Sequence, residues 1–405
     1  MPAVMAKSHG PRRASLSRIG AFWLVAAMTV ILLAASSAPS PLYPLYQDEF
    51  RFSSFTLATI FAVYVLALLL SLLTAGRLSD VAGRRPVLAA SLALETAAMV
   101  VFLAADGATA LLVARLLQGV ATGVALGVLG AYLLDLAPSA ESRLGALVNS
   151  AASTGGLGVG AIGAGLLLQF APYPTRLVFV VLTALFALLL LIVPALPETV
   201  ARVPGLLAAL RPRVAVPAGA RSAFAAATPT FVATWALGGL ILSIGGSLVG
   251  SVFGQHNEAV IGVLLSVFSL AATVVAVLLS NVEPGRAAQL GAVALVLGTA
   301  LFLAALLGTQ LWLLIVALVV AGGGFGLSFV GALRSITQLA GPRERAALLS
   351  AVYAVCYLAF SVPALIAGLL IARIGLRDTA LSYGALVGLL ALAGLAASLR
   401  PGHAK

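Results

Sequence analysis

The sequence predicts an all-α membrane protein of twelve transmembrane helices arranged as two pseudo-symmetric six-helix bundles. Three observations carry that expectation: an apolar composition, apolar runs of membrane length along the whole chain, and an internal repeat at about half the chain length. Of the 405 residues, 62% are hydrophobic and 9% charged, and the mean hydropathy is +1.15. A soluble domain carries roughly 25% charged residues. This chain cannot cover a water-facing surface, so most of its exterior faces lipid. The runs are each long enough to cross a hydrocarbon core of about 30 Å. They are continuous and rich in Leu, Ala and Gly, unlike the alternating segments of about ten residues in a barrel.

Apolar runs bounded by charge, Pro or Gly place six spans near 19–38, 54–75, 87–105, 108–134, 144–170 and 176–196. Six more follow near 223–252, 259–280, 287–307, 310–333, 346–372 and 379–399. The first run, with Arg12, Arg13 and Arg18 before it and Ala35-Ser36-Ser37-Ala38 at its end, has features of a secretory signal. Its apolar stretch exceeds a usual signal core, and cleavage would leave an odd number of spans. We therefore count it as a span.

Orientation follows from the positive-inside bias. With the N-terminus inside, the cytoplasmic segments hold eighteen of the 23 basic residues: Lys7, Arg12, Arg13, Arg18, Arg77, Arg84, Arg85, Arg143, Arg202, Arg211, Arg213, Arg221, Arg286, Arg334, Arg343, Arg345, Arg400 and Lys405. The outer loops hold Arg51, Arg176, Arg373 and Arg377, and Arg115 falls inside a span. Both termini are expected in the cytoplasm. The net charge of +11 resides in these short loops and records orientation, so nucleic acid is not an expected partner.

The longest hydrophilic break separates two sets of six spans. The expected division is a tail at 1–18, a first bundle at 19–197, a central loop at 198–222, a second bundle at 223–399 and a tail at 400–405. Segments opening at Arg143 and Arg345 resemble each other after charged, Pro-containing turns, with an offset of 345 minus 143, or 202 residues. Parallel halves of this kind place a substrate site between them.

The turn between spans two and three reads Gly76-Arg77-Leu78-Ser79-Asp80-Val81-Ala82-Gly83-Arg84-Arg85-Pro86. It resembles the signature G-x-L-x-D-R-x-G-R-[KR] of the major facilitator superfamily, in the position where that family carries it, and departs from it at Val81. Arg115-Leu-Leu-Gln118-Gly119 is similar to the family's R-x-x-Q-G motif in span four, and Pro197-Glu198-Thr199 to its usual ending of span six. The Gly-rich stretch from Gly156 to Gly165 is similar to the Gly-Pro motif of the family's antiporters, with Ala161 in place of the Pro.

The resemblance implies that Asp80 and Arg84, with Gly76, Gly83 and Arg85 of the same motif and Asp135 at the end of span four, form a charge cluster that latches the cytoplasmic face in one state. A charge entering a protein interface must be paired to offset its desolvation. The plain alternative is that these charges only set topology. Arg115 lies eight residues beyond Gly107, about 12 Å into the bilayer. An ionisable residue at that depth is a functional candidate. The family places its equivalent facing the central cavity, in proton coupling; the alternative is an Arg held by neighbouring carbonyls and hydroxyls.

Glu95 lies ten residues beyond Arg85, about 15 Å deep, whereas every other acid falls in a loop or at a span end. It is the most obvious proton carrier. The family, however, sets span three away from the cavity, so a neutral, hydrogen-bonded structural Glu is the competing reading. Gly119, Gly123 and Gly127 recur every fourth residue, a spacing that lets helices approach closely. Pro363 is expected to kink span eleven.

From the spans the family places centrally, the candidate cavity residues are Thr29 and Ser36, Gln118 and Thr122, Trp235 and Phe325, with Tyr64, Asn149 and Tyr357 from neighbouring spans. None is charged and four are aromatic, which suits amphipathic or lipophilic cargo better than sugars. The leading expectation is export of a small lipophilic or amphipathic drug or metabolite in exchange for protons. The alternative is proton-coupled import of a small organic acid, with Arg115 binding the carboxylate. A membrane enzyme is disfavoured: His9, His256, His403 and the single Cys356 compose no metal-ligand cluster, and no nucleotide loop or nucleophile triad is present. No cofactor is expected. The partners are a small-molecule substrate, protons and membrane lipid, the chain acting as a monomer. Abundant Arg, Ala and Gly with few Lys suggest a GC-rich bacterial genome, and hence the bacterial inner membrane.

Overall fold

The computed structural model describes residues 16–139, 143–341 and 343–399. Lys7, His9, Arg12, Arg13, Arg400, His403 and Lys405, and with them most of the two expected tails, lie outside the described residues. The first half holds α1 (Arg18–Ser37), α2 (Pro39–Phe50), α3 (Ser54–Ala75), α4 (Leu78–Ala82), α5 (Arg84–Leu103), α6 (Ala108–Leu136), α7 (Leu144–Phe170) and α8 (Pro174–Ile192). A one-turn α9 (Leu206–Ala209) sits in the central loop. The second half holds α10 (Arg221–Phe253), α11 (Glu258–Leu278), α12 (Pro284–Gly308), α13 (Leu311–Thr337), α14 (Arg345–Ile374) and α15 (Leu376–Ser398). Among the described residues twelve helical segments are long and apolar enough to span a membrane. Leu70, Phe170, Leu191 and Leu278 point outward at 63%, 76%, 78% and 74% exposure, which is where a bilayer must replace water.

Local chemistry starts several helices. Ser17, Ser53 and Asn257 each accept a backbone N–H of the first turn of α1, α3 and α11, satisfying donors that a helix start leaves free. Glu283 does the same for α12 from both Gly285 and Arg286, and these two donors hold its exposed carboxyl below the usual carboxylate range.

Span one departs from expectation. The apolar run ends near residue 38, yet the chain breaks only briefly at Ala38 and continues as α2 to Phe50, giving a 33-residue span. Pro39, Pro41 and Pro44 lie in the segment between the predicted spans one and two. Pro39 opens α2, where its missing N–H is no loss. The helix ends at Arg51 in the left-handed region, φ 52°.

Small residues set the packing within the first half. A Cβ on Gly119 would lie 2.4 Å from the Tyr64 carbonyl oxygen, and one on Gly123 2.4 Å from that of Leu68. The backbones of α6 and α3 therefore touch, as the four-residue glycine spacing predicts. The two halves meet along α3 with α14 and along α7 with α11. We name the side carrying the 76–83 turn the signature face and the opposite side the far face. Many inter-half contacts lie toward the far face: a Cβ on Gly368 would meet Ser54, Phe55 and Ala58, one on Gly165 would meet Glu258 and Gly262, and one on Gly246 would lie 3.3 Å from Pro44 of α2. Toward the signature face, Asn149, Ser153, Trp235, Phe329 and Tyr353 are half-buried.

Candidate functional site

Three groups of side chains occupy the places to which the sequence points. The first is at the signature face. Gly83 starts α5 with φ +94°, and a Cβ there would also lie 3.0 Å from Glu198, so glycine is required. Arg84 donates to Asp80 at 2.5 Å, to Ser79 at 2.7 Å and to Asp135 at 3.1 Å. Asp135 also accepts the Thr199 hydroxyl at 2.7 Å. Glu198 takes the backbone N–H groups of Arg84 and Arg85 at 2.8 and 3.1 Å, capping α5 from across the half. Arg85 donates to the Pro194 carbonyl, and Arg18 to the carbonyls of Asp135, Leu136 and Ala137 that end α6. Gly76 lies against Gly127, where a Cβ on the latter would sit 3.2 Å away. Thus Gly76, Asp80, Gly83, Arg84, Arg85 and Asp135 are one assembly, joined by the span-six ending Glu198-Thr199. Every partner named belongs to the first half or to the start of the central loop that follows it.

The second group is a polar stripe on α6. Arg115, Gln118 and Thr122 lie at i, i+3 and i+7, hence on one face, and all three are fully buried. Arg115 donates from Nε to the Tyr43 hydroxyl at 3.0 Å, and from one terminal nitrogen to the Ser36 carbonyl at 3.0 Å and to Gln118 Oε1 at 2.7 Å. Its other terminal nitrogen donates to Tyr43 as well. The guanidinium carbon also stands 4.9 Å from the Tyr64 ring centre, 5.5 Å from that of Tyr43 and 5.7 Å from that of Phe102, the range of cation–π attraction. Gln118 returns a bond to the Ala35 carbonyl at 3.0 Å, and Tyr64 donates to the Ser36 hydroxyl at 2.8 Å.

One side chain of α5 completes this stripe. Glu95, fully buried, accepts the Thr122 hydroxyl on Oε1 at 2.6 Å, while its Oε2 has no hydrogen-bond partner among the described residues. Thr122 is seven residues from Arg115, so Glu95 meets α6 about 10 Å along the helix axis from the Arg115 backbone. Among the described residues the ion pairs are the two that Arg84 makes. Arg115 is therefore a buried cation held by neutral acceptors and ring faces.

The third group is aromatic and belongs to the second half. Trp235 on α10 packs edge-on against Tyr357, Phe329 and Phe360, with ring centres 4.9, 5.6 and 5.7 Å away, and lies 6.2 Å from Phe325. Phe360 reaches across to Phe61 of the first half at 5.2 Å.

Of the expected cavity residues, Trp235, Phe325 and Tyr357 come together here, and Tyr64 joins the polar stripe. Asn149 is half-buried beside Gly130. Gln118 and Thr122 are spent on the stripe. Thr29 is fully buried, with its hydroxyl turned back to the Val25 carbonyl of its own helix. Sequence reasoning missed Tyr43, because it follows the apparent end of span one. It also missed Phe329, Phe360 and Phe61. The signal for Phe329 and Phe360 was the spacing Phe325/Phe329 and Tyr353/Tyr357/Phe360, one helical face each; Phe61 carries no such spacing.

Twelve membrane spans in two packed halves, with buried charge between helices and rings at the seam, define a membrane transport protein. The chain belongs to the major facilitator superfamily: residues 25–282 match the family model described as Major Facilitator Superfamily. It is accordingly a secondary transporter of a small molecule and not an enzyme. Among solved structures it is similar to a mutant of the nucleoside transporter NupG, at 14% identity and TM-score 0.71 over 93% of this chain and 99% of that one. It is also similar to a POT family transporter in complex with 5-aminolevulinic acid, at 14% identity and TM-score 0.73 over 96% of each chain. At that identity the likeness is one of fold. Among curated proteins, none matches the sequence.

Proposed function

We propose that the protein exports a small lipophilic or amphipathic compound in exchange for protons, by alternating access. The observation that carries this reading is Glu95, an enclosed acid with one oxygen unbonded, two helical turns along α6 from an enclosed cation. A neutral acid suits that place, because an ionised one would leave a charge in a dry interior with a single donor. Releasing the proton requires either a conformation that admits water or closer approach of Arg115. The aromatic seam around Trp235 supports apolar cargo. Import of a small organic acid has less support, since Arg115 is fully buried and its donors are engaged by Ser36, Tyr43 and Gln118.

The signature-face cluster is the latch in this reading, and the far-face contacts between halves correspond to a state that opens on the signature side. We place that side in the cytoplasm of a bacterial cell, with both termini inside and a monomer as the working unit. Purified protein in liposomes with an imposed pH gradient should move a lipophilic dye against its concentration gradient. No gradient-dependent movement of any lipophilic compound would refute the proposal.

Two further outcomes follow. A Leu210→Cys variant in a Cys356→Ser background should react with membrane-impermeant thiol reagents only after cells are opened; labelling of intact cells would reverse the orientation. Asp80→Asn should lower uphill transport by about tenfold. Asp80 is half-exposed, and an ion pair screened to that degree contributes under about 1 kcal/mol to folding. Melting should therefore stay near that of the parent protein, and unchanged turnover would reduce the cluster to a topology signal.

A further inference from the structure

We infer that the aromatic seam at Trp235 is a binding site for a planar, uncharged aromatic compound that carries a hydrogen-bond acceptor. This deepens the transport reading and rests on it for the cargo's direction, though not for the site itself.

Four features of the cluster point that way. The Trp235 ring is surrounded by Phe325, Phe329, Tyr357 and Phe360 at 4.9 to 6.2 Å, so a flat ring entering the cluster meets aromatic neighbours with which it can stack or pack edge-on. Trp235, Phe325, Phe329 and Phe360 are only partly buried, so the cluster is not a sealed core. It spans the seam, because Phe360 on α14 touches Phe61 on α3. A compound held there lies one ring away from the first half, at the boundary that alternating access must rearrange.

The fourth feature selects among flat compounds. The indole Nε1 of Trp235 is buried and has no acceptor among the described residues. A buried donor without a partner is costly, and filling it recovers that cost. An acceptor on the ligand, a carbonyl oxygen or a ring nitrogen, supplies the partner. Charge is disfavoured at the same place. A cation would meet only ring faces here, since the ring contacts of Trp235 are with Phe and Tyr, and ring attraction without a carboxylate partner does not offset the loss of its hydration. Arg115 is engaged elsewhere, so an anion gains no partner either.

The chain offers its own reporter. It has three tryptophans, and the other two, Trp23 and Trp312, face outward at 55% and 63% exposure. Replacing both with Phe leaves Trp235 as the sole indole. The probes are flavone, which is flat and neutral with a carbonyl acceptor, and 2-phenylnaphthalene, which has the same ring frame without an acceptor. In detergent micelles with no gradient, flavone should quench Trp235 emission saturably and bind about tenfold more tightly than 2-phenylnaphthalene. In Trp235→Phe, measured by equilibrium dialysis, the two affinities should converge.

Non-saturable quenching, equal affinities in the Trp235-only protein, or discrimination that survives in Trp235→Phe would each overturn the inference. The comparison in the Trp235-only protein does not depend on the Trp235→Phe variant folding. Selective flavone binding without any proton-driven movement would uphold the site and refute the coupling. Proton-driven movement of other compounds without selective binding would do the reverse.

Discussion

Glu95→Gln is expected to abolish proton-driven accumulation, with a loss of at least about a hundredfold in uphill transport, while exchange of substrate across liposomes without a gradient persists. The amide has nearly the same volume and can still accept the Thr122 hydroxyl that now reaches Oε1 at 2.6 Å. What it cannot do is gain and lose a proton. A side chain serving only to satisfy Thr122 would survive the change, because a neutral acceptor remains in place. With the amide nitrogen placed at the Oε2 position, which has no partner among the described residues, no existing hydrogen bond is lost. Uphill transport and counterflow measured in the same liposome preparation separate these roles. Full uphill transport would exclude Glu95 as an obligatory carrier and return attention to Asp80 and Asp135.

Arg115→Met should damage both stability and coupling. The thioether fills much of the space and keeps contact with the Tyr43, Tyr64 and Phe102 rings. It removes, however, the donors that now serve the Ser36 carbonyl, Gln118 and Tyr43. Buried acceptors left without donors cost about 1–3 kcal/mol each. Relaxation of Gln118 and Tyr43 toward one another offsets part of that, so a net loss of roughly 2–4 kcal/mol is expected. Cys356, the single and fully buried cysteine, provides the readout. Labelling by a thiol-reactive dye on heating should begin at a markedly lower temperature in the variant. An unchanged midpoint would show that the guanidinium does not hold α1, α2 and α6 together. Tyr43→Phe, which removes one acceptor and keeps the ring, should fall between the two.

Both variants target residues that the sequence singles out by depth, Arg115 by its motif resemblance as well. Counting residues from Gly107 and Arg85 places Arg115 and Glu95 inside the bilayer, and that arithmetic needs no partner. It cannot say that Thr122 lies between them in function, bonded to Glu95 and two turns from Arg115 on one face of α6. Nor can it choose for Arg115 between neighbouring hydroxyls and an open cavity. In the structure the guanidinium meets hydroxyl, carbonyl and amide acceptors, including Tyr43 from a segment beyond the predicted end of span one. The signature-face cluster was legible for the opposite reason. Its residues lie within one short turn and at the end of one span, so local spacing already brings Asp80 to Arg84. Glu198 and Thr199 are over a hundred and about sixty residues away from their partners Arg84 and Asp135, and only folding returns span six to that turn.

By itself, the sequence determined the class of this protein: twelve apolar runs of bilayer length, their break into two sets of six, and the glycine spacing that lets α6 touch α3. Those are properties of composition and of periods of a few residues, and a bilayer enforces them wherever the chain goes. Only the tertiary structure decided which side chains share a site. The unbonded Glu95 oxygen, the neutral cage around Arg115 and the rings that meet Trp235 arise from helices far apart in the chain. Their contacts depend on helix rotation and crossing, which a periodic apolar pattern on lipid-embedded helices leaves undetermined, because lipid and a neighbouring helix reward the same apolar residues.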